Sequence, residues 1–480
     1  MTDLRARIGA LFRGPEEFDL TSGSIGKPLF FLSMPIVVTN LFQTAYNLAD
    51  TFWLGQYSTD ALAAISFAFP MVFLLISLGM GISVAGSVLV AQYTGADAER
   101  EAEYAASQTV AFAVIASVLL GGVGYFLVEG FLDVMGASAD VLPLATSYME
   151  VISLGLVAMF GFAVFIALMR GYGDTITPML VMFGSVVLNI ALDPFLIFGW
   201  GPFPTMGIRG AAVATVFSRA LALVVGLAIM FRGTRGVQIR LGDMAPDLDF
   251  LRRLVRIGVP ASVEGTGRAL SMNLLLFIVA LFPDPVVAAY GIGTRVFSVI
   301  VLPAIAVARG VETMTGQNVG AGKPDRAEQA AGLAAKVLFG VLTAAGIAVV
   351  WFAAAPVAAV FTTDPEVVDI AAGFLRIVAP TFGFIGITRA YTGSFRGAGK
   401  TLVAAAISVL MLGVIRFPIA WVAAAEIGET GIWFSFAISN VAGAIIAYAW
   451  YRRGTWRDGD LTEQRVDVDE AAAEPVPTDD

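Results

Sequence analysis

Arg170-Gly171-Tyr172-Gly173-Asp174-Thr175 returns 226 residues later as Arg396-Gly397-Ala398-Gly399-Lys400-Thr401, and this repeated hexapeptide shows how the chain is built. Further pairs lie at an offset of 225 residues: Pro35 with Pro260, Gln92 with Gln317, and Gly95 with Gly320. The acidic residues do not follow the repeat, since Asp50 corresponds to Leu275 and Asp193 has no acidic counterpart. Repeated scaffolds are typical of transporters, and the unequal charges predict an ion site in one half.

The composition indicates a chain that lies mostly in lipid. Of its 480 residues, 58% are hydrophobic and 14% are charged, whereas soluble proteins carry about 25% charged residues. The chain has no Cys and no His, which excludes disulfides, thiol and imidazole catalysis, and the usual zinc and haem sites. Its formal net charge of −9 and its few lysines fit a halophilic archaeon.

Apolar runs of roughly 20 residues, the length that crosses a bilayer, occur twelve times. They centre near residues 40, 74, 115, 156, 188, 221, 269, 296, 343, 380, 412 and 442. The sequence therefore predicts an all-α integral membrane protein with twelve transmembrane helices, arranged as two six-helix lobes related by pseudo-two-fold symmetry.

The basic residues of the connections lie on one side of the predicted membrane. The opposite connections, which include 200–209, hold Arg209 alone among basic residues. The positive-inside rule then predicts a multi-pass protein of the plasma membrane with both termini in the cytoplasm. The predicted divisions are a cytoplasmic N-terminal segment at 1–28, an N-lobe at 29–232, a cytoplasmic linker at 233–250, a C-lobe at 251–453 and a disordered acidic tail at 454–480.

The first predicted span carries a polar face. Gln43 and Asp50 are seven residues apart, which is two helical turns, and Tyr46 and Asn47 lie between them on the same side. A carboxylate inside a bilayer is costly and indicates a functional site. The alternative is that Asp50 lies at the outer end of the helix, where lipid headgroups and water reach it.

The fifth and sixth spans supply further oxygen atoms. Asn189 and Asp193 are four residues apart on one helix face, and Pro194 leaves the carbonyl of Ile190 without its helical partner. This set suits Na⁺, and a desolvated carboxyl could instead carry a proton; the alternative is an Asp-Pro turn at a helix end. Thr215 could add a hydroxyl ligand or bond back to its own helix.

The charged residues of the second half are expected to be mainly structural. Glu264 with Arg268, and Arg309 with Glu312, have spacings that allow pairing within one helix.

The hexapeptide at 396–401 resembles the end of a phosphate-binding loop, but such a loop requires glycine at position 394, which is Ser394, and no strand precedes it. Its recurrence at 170–175 identifies it as a turn between spans. The sequence shows no nucleophile–base or metal-ligand constellation, so we do not expect an enzyme.

Several short motifs occur together with the two lobes. They are Asn47-Leu48-Ala49-Asp50-Thr51, Val90-Ala91-Gln92-Tyr93-Thr94-Gly95, Gly316-Gln317-Asn318-Val319-Gly320, Asn189-x-x-x-Asp193-Pro194 and the two Arg-Gly-x-Gly-x-Thr turns. In combination, over about residues 25–453, they resemble the multidrug and toxic compound extrusion (MATE) family, in its archaeal or DNA-damage-inducible-like branch. The resemblance implies two bundles around a central cavity and export of organic cations and amphiphilic drugs in exchange for H⁺ or Na⁺.

The resemblance also implies a set of site residues. Cation or proton coupling falls to Asp50, Asn189, Asp193 and Thr215, of which the first three are the expected Na⁺ ligands. The residues expected to line the substrate cavity are Gln43, Tyr46, Asn47 and Met182. The expected partners are small organic cations or drugs and the lipid bilayer, with no cofactor besides the coupling ion, no nucleic acid and a monomeric state.

A flippase for a lipid-linked oligosaccharide, or for another amphiphile of the same superfamily, is the alternative. Such a protein would need cationic residues facing its cavity to hold pyrophosphate. The candidates are Arg219, Arg268, Arg295, Arg376 and Arg416.

Overall fold

The computed structural model describes residues 19–462, apart from the side chains of residues 350 and 351, and this range contains helices and no strands. The helices of the first half are α1 (Gly26–Tyr57), α2 (Thr59–Gly95), α3 (Glu99–Val134), α4 (Leu142–Leu154), α5 (Leu156–Tyr172), α6 (Ile176–Phe198) and α7 (Ile208–Arg232). A linker with a short 3₁₀ turn at Leu241–Met244 leads into the second half.

The second half repeats this order. Its helices are α8 (Leu248–Val279), α9 (Asp284–Gly320), α10 (Pro324–Ala348), α11 (Ala354–Ala359), α12 (Pro365–Val378), α13 (Phe382–Gly397), α14 (Thr401–Val409), α15 (Phe417–Ile427) and α16 (Glu429–Tyr451). π-Helical turns at Val349–Ala353 and Leu410–Arg416 join α10 to α11 and α14 to α15, and a 3₁₀ turn at Ala379–Thr381 joins α12 to α13.

The twelve predicted spans all correspond to helical segments, so the predicted fold class is confirmed. Among the described residues, ten segments are long and apolar enough to cross a membrane, and α4 with α5, bent by 54°, forms an eleventh. The twelfth is α8, which is 32 residues long but more polar, because it carries three arginines near its start as well as Glu264 and Arg268.

The repeated hexapeptide has a packing explanation. Gly173 and Gly399 follow α5 and α13 with φ of 109° and 70°, a left-handed conformation that favours glycine. A Cβ atom on Gly171 would lie 2.4 Å from the carbonyl oxygen of Ser87, and one on Gly397 would lie 2.1 Å from that of Glu312. The first glycine of each turn therefore lets the fourth span of a lobe contact the second span of that lobe.

The two lobes meet through their first two spans. α2 packs against α8 and α9, and α1 packs against α9. We call the end of the molecule that carries the linker and both described termini the inner end. The hydrogen bonds that join the lobes within the described chain lie in the inner half, from the Ser262–Leu78 bond to the ends of α2 and α9. The lobes are thus closed at the inner end.

Two glutamines, Gln92 and Gln317, form the centre of this closure. We call these two side chains, together with the turns they contact, the latch. The side chain of Gln317 donates to the carbonyls of Gly171 and Tyr172, at 3.1 and 3.0 Å. The side chain of Gln92 donates to Gly397 at 3.0 Å, so each glutamine contacts the hexapeptide turn of the other lobe. The two repeated motifs are therefore partners across the interface.

Both described termini join the latch. Asn318 donates to the carbonyl of Leu20, and the side chain of Arg326 donates to carbonyls at 20 and 22–24. At the other terminus, the backbone of Leu461 donates to Gln92 at 2.7 Å. These contacts hold the chain ends against the inner face of the lobes.

The C-terminal segment corrects one expectation. We predicted disorder from residue 454, but 454–462 is packed: Trp456 is 1% exposed and stacks on Tyr451 with 4.7 Å between ring centroids. The buried Trp456 ring, the ion pairs of Arg457 with α10 and the hydrogen bonds of Gly459 and Leu461 with Gln92 together anchor this short segment. The remaining predicted tail, 463–480, and most of the N-terminal segment lie outside the described residues.

Candidate functional site

The candidate coupling site lies where α1, α6 and α7 pack together in the first lobe. Asp50 is 2% exposed and Asp193 is fully buried, so neither is a solvated residue at a helix end. Their carboxyl groups lie within hydrogen-bonding reach of each other. The side-chain amide of Asn189 donates to Asp193 Oδ1 at 3.3 Å. The helical spacings seen in the sequence thus bring two spans together at one point.

Thr215 and Tyr46 complete this cluster. The hydroxyl groups of Tyr46 and Thr215 are 2.8 Å apart, and the Tyr46 hydroxyl also reaches the Asp50 carboxyl. The four predicted coupling residues therefore share one buried environment with Tyr46, which we had assigned to the substrate cavity. We call Asp50, Asn189, Asp193, Thr215 and Tyr46 the coupling cluster.

The coupling cluster contains oxygen atoms that lack partners. Asp50 Oδ1, Asn189 Oδ1 and Asp193 Oδ2 are buried and accept no hydrogen bond from any described residue. Unpaired buried polar atoms are energetically costly. Such atoms therefore indicate a position where a proton, an ion or a water molecule binds. Two carboxylates and an amide oxygen fit Na⁺, and the adjacent carboxyls equally fit a shared proton. Within 19–462, no three or more acidic, His or Cys side chains form a metal-binding group.

Arg219 also lies next to the coupling cluster, and the sequence analysis did not predict this position. It lies on α7 four residues after Thr215, and its guanidinium donates to Gln43 Oε1 and to the Met182 sulfur, each at 2.8 Å. The guanidinium carbon also lies 5.1 Å from the centroid of the Tyr46 ring. The i,i+4 spacing from Thr215 was the signal in the sequence that places Arg219 on the same helix face.

A cavity of about 190 Å³ lies on the inner side of the coupling cluster. Its lining residues are Ile36, Thr39, Asn40, Gln43, Ile166, Arg170, Thr175, Pro178 and Met182. Gln43 and Met182, which we expected to line a substrate cavity, therefore line this cavity. Tyr46 instead belongs to the coupling cluster, and Asn47 accepts a hydrogen bond from Gln43 at 3.3 Å without lining this cavity.

Two glutamates of the second lobe, Glu264 and Glu312, form an ion network near the inner closure. The predicted Arg309–Glu312 pair is present at 2.9 Å. The other predicted pair is wrong, because Glu264 binds Arg396 at 3.1 Å rather than Arg268. Arg396 also binds Glu312 at 3.1 Å. The missed partner is on α13, 132 residues from Glu264, so that helical spacing could not reveal it.

The five arginines named for the flippase alternative do not form one cluster. Arg219 is buried in the first lobe, and Arg416 is buried in the second, where it donates to Ser439 and Asn440. Arg295 and Arg376 are exposed. Arg219 and Arg416, which are buried in different lobes with partners of their own, therefore do not contribute to one shared pyrophosphate site.

Known proteins resemble the chain over most of its length. A sequence model of the MatE family matches residues 35–195 and 260–422. An FAD transporter of Shewanella oneidensis is 29% identical over 433 residues, which cover 89% of this chain and 95% of that protein. A probable multidrug resistance protein NorM of Thermotoga maritima is 28% identical over 454 residues, covering 92% and 96%.

Solved structures agree with these matches. A transporter of the MOP superfamily from Pyrococcus furiosus superposes with a TM-score of 0.84 at 25% identity, covering 91% of this chain and 97% of that one. A MATE structure in a bent conformation gives a TM-score of 0.85 at 25% identity, with 91% and 96% covered. Because the matched family ranges fill more than half of the sequence, with one range in each lobe, the chain belongs to the MATE family of multi-pass membrane transporters.

Proposed function

We propose that the chain is an antiporter that exports small amphiphilic molecules in exchange for H⁺ or Na⁺, with the cation bound in the coupling cluster. The observation that carries this proposal is the set of three unpaired buried oxygen atoms on Asp50, Asn189 and Asp193. Two neighbouring carboxylates inside a membrane protein repel each other and are poorly solvated. A proton or Na⁺ would relieve both costs, so binding there has a large effect on the local free energy.

The coupling cluster is placed to affect the cavity. Gln43, which lines the cavity, and Asp50 are seven residues apart on α1, about 10 Å along a helix. Tyr46 lies between them, contacting Thr215 on one side and the Arg219 guanidinium on the other. Loading the cluster would therefore repack α1 against α6 and α7, and the lobes would exchange the closed inner end for a closed outer end.

We place the inner end in the cytoplasm because it carries most basic residues of the connections. Relatives are named both as multidrug resistance proteins and as an FAD transporter, which supports small molecules as cargo. The organic cations expected from the resemblance, and the monomeric state, stay predictions.

Gradient-driven transport tests the proposal. Purified protein in liposomes is given a Na⁺ gradient or a pH gradient separately, and efflux of a fluorescent substrate is recorded. Asp50→Asn and Asp193→Asn are each expected to abolish the response to the coupling gradient. Asp140→Asn, the same change at an exposed residue between α3 and α4, is the matched control. Normal gradient-driven efflux by both cluster variants would refute the proposal.

Thermal unfolding provides a readout that needs no transported substrate. If Na⁺ binds the cluster, Na⁺ at 100 times its dissociation constant stabilises the protein by about 2.7 kcal/mol. This stabilisation should disappear in Asp193→Asn and persist in Asp140→Asn. If protons are the coupling ion, Tm instead responds to pH in the wild type and less in Asp193→Asn.

A further inference from the structure

The cavity has an unexpected charge. Of its nine lining residues, Arg170 is the one that is charged, and it is a cation. Behind the wall formed by Gln43 and Met182 lies a second cation, Arg219, which both of these side chains contact. A cavity for an organic cation would be expected to present carboxylates, but no lining residue of this cavity is acidic.

The surroundings of Arg170 do not neutralise it. The charged groups of the other lobe that interact electrostatically with Arg170 are Arg309, Glu312 and Arg396. Glu312 already binds Arg309 at 2.9 Å and Arg396 at 3.1 Å. Arg170 forms no ion pair with any residue in the described range, and its Nε atom is buried without a hydrogen-bond partner.

The wider network has the same excess of positive charge. Glu264 binds Arg396 and accepts a hydrogen bond from Ser408, and Arg268 nearby makes no ion pair within the part of the chain that is described. Four arginines, at 170, 268, 309 and 396, thus share one network with two glutamates, at 264 and 312, which leaves this network with a formal charge of +2, and Arg170 is its member in the cavity wall. An excess of buried cationic charge is expensive unless an anion joins it.

We propose that the inner end of this cavity is an anion subsite, with Arg170 as its principal ligand, for the phosphate or carboxylate group of an amphiphilic organic substrate. This inference rests on the proposed transport function and names its substrate class. The planar guanidinium matches the geometry of carboxylate and phosphate oxygens. Ile36, Ile166 and Pro178 provide an apolar wall for the body of the substrate.

The anion subsite and the coupling cluster are separate along α1. Ile36, Thr39 and Gln43 line the cavity, whereas Tyr46 and Asp50 lie further toward the outer end. Arg219 connects the two, since it contacts both Gln43 and the Tyr46 ring. An anionic substrate in the cavity would draw Arg219 away from the acidic cluster, so that substrate and coupling cation affect each other through one side chain.

Four naphthalene probes test the subsite, because they share one ring system and differ in charge. They are naphthyl phosphate, naphthoate, naphthylmethanol and naphthylmethyl-trimethylammonium. Equilibrium binding to the full-length protein in phosphatidylcholine nanodiscs is measured by fluorescence, without any ion gradient. The phosphate and carboxylate probes are expected to bind at least tenfold more tightly than the neutral probe, and the ammonium probe more weakly.

Substitutions identify the ligand. Arg170→Gln is expected to weaken naphthyl phosphate binding roughly ten- to a hundredfold, the range for a hydrogen bond to a charged group. Arg170→Lys should keep part of the preference for anions, which controls for misfolding of the glutamine variant. Arg235→Gln, in the exposed linker, is the matched control and should leave binding unchanged.

The outcomes are distinct. Equal binding of the four probes, a preference for the ammonium probe, or an unchanged preference in Arg170→Gln would overturn the anion subsite. Because binding is measured without a gradient, such a failure leaves ion coupling intact, while loss of coupling in Asp193→Asn with normal probe binding would strike the proposed function alone. Adding phosphatidylglycerol to the nanodiscs separates two sources of anion: competition with the probe indicates a lipid headgroup, and no competition indicates a soluble substrate.

Discussion

Gly320→Ala should open the inner end of the transporter. Gly320 is the last residue of α9, and a Cβ atom there would lie 2.0 Å from the carbonyl oxygen of Gln92 in the other lobe. Ordinary contact begins near 3.4 Å, so the lobes must separate locally by roughly 1.4 Å, because a backbone carbonyl at the end of a packed helix has little freedom to move. Overpacking of this kind costs about 1–3 kcal/mol.

The cost falls on the closed inner end alone, because the contact exists only when the lobes meet there. The equilibrium should therefore shift toward the inner-open state by about 5- to 150-fold, taking 1.4 kcal/mol as a factor of ten. A general loss of stability would favour neither opening. A shift of the equilibrium toward the inner-open state is therefore specific to this contact.

Cysteine labelling measures this shift, and the absence of native cysteine makes a single introduced thiol specific. Thr313→Cys is suitable, because Thr313 is buried and donates to the carbonyl of Arg170 across the closure. In vesicles that expose the inner face, a membrane-impermeant maleimide should label Thr313→Cys at least fivefold faster when Gly320→Ala is added. Gly332→Ala is the control, since a Cβ there meets nothing within 4 Å. Equal labelling rates in the three proteins would refute the reasoning.

Three further substitutions have defined outcomes. Tyr46→Phe removes the hydroxyl that contacts Thr215 and should raise the half-saturating concentration of the coupling cation several-fold, consistent with about 1 kcal/mol for one buried hydrogen bond; unchanged cation dependence of transport would contradict this. Arg326→Gln removes the donor to the carbonyls of residues 20 and 22–24 and should speed hydrogen exchange in this segment, but not in the spans. Arg416→Met replaces a buried cation that is bonded to the neutral side chains of Ser439 and Asn440, so Tm is expected to stay equal or rise, and a fall of several degrees would show that the charge stabilises the fold.

The sequence predicts the scaffold well, because the length and number of apolar runs leave few alternatives for a chain in a membrane. Asp50, Asn189 and Asp193 could also be found, since helical spacing and the cost of a buried carboxylate are local properties. That these residues meet at one point depends on the tertiary structure, which helical spacing alone does not predict. The resemblance to a family was the basis for expecting them to form one site.

Long-range charge pairing shows where sequence reasoning ends. Glu264 has Arg268 one turn away, yet it binds Arg396 on another helix, because packing of α8 against α14 and the adjacent α13 brings that guanidinium closer. Arg170 was read as part of a turn, and this is correct for its backbone. Arg170 also lines the cavity, however, and no local pattern in the hexapeptide indicates that role.

The latch has a consequence for the order in which the molecule is made. The hydrogen-bond partners of the Gln92 side chain are synthesised 305 to 369 residues later, at Gly397, Gly459 and Leu461. The coupling cluster, by contrast, is complete once Thr215 has been synthesised, since its members all belong to the first lobe. During translation, the first lobe with its coupling cluster can therefore assemble by itself. The contacts of Gln92 that join the two lobes are complete only after α16 has been inserted.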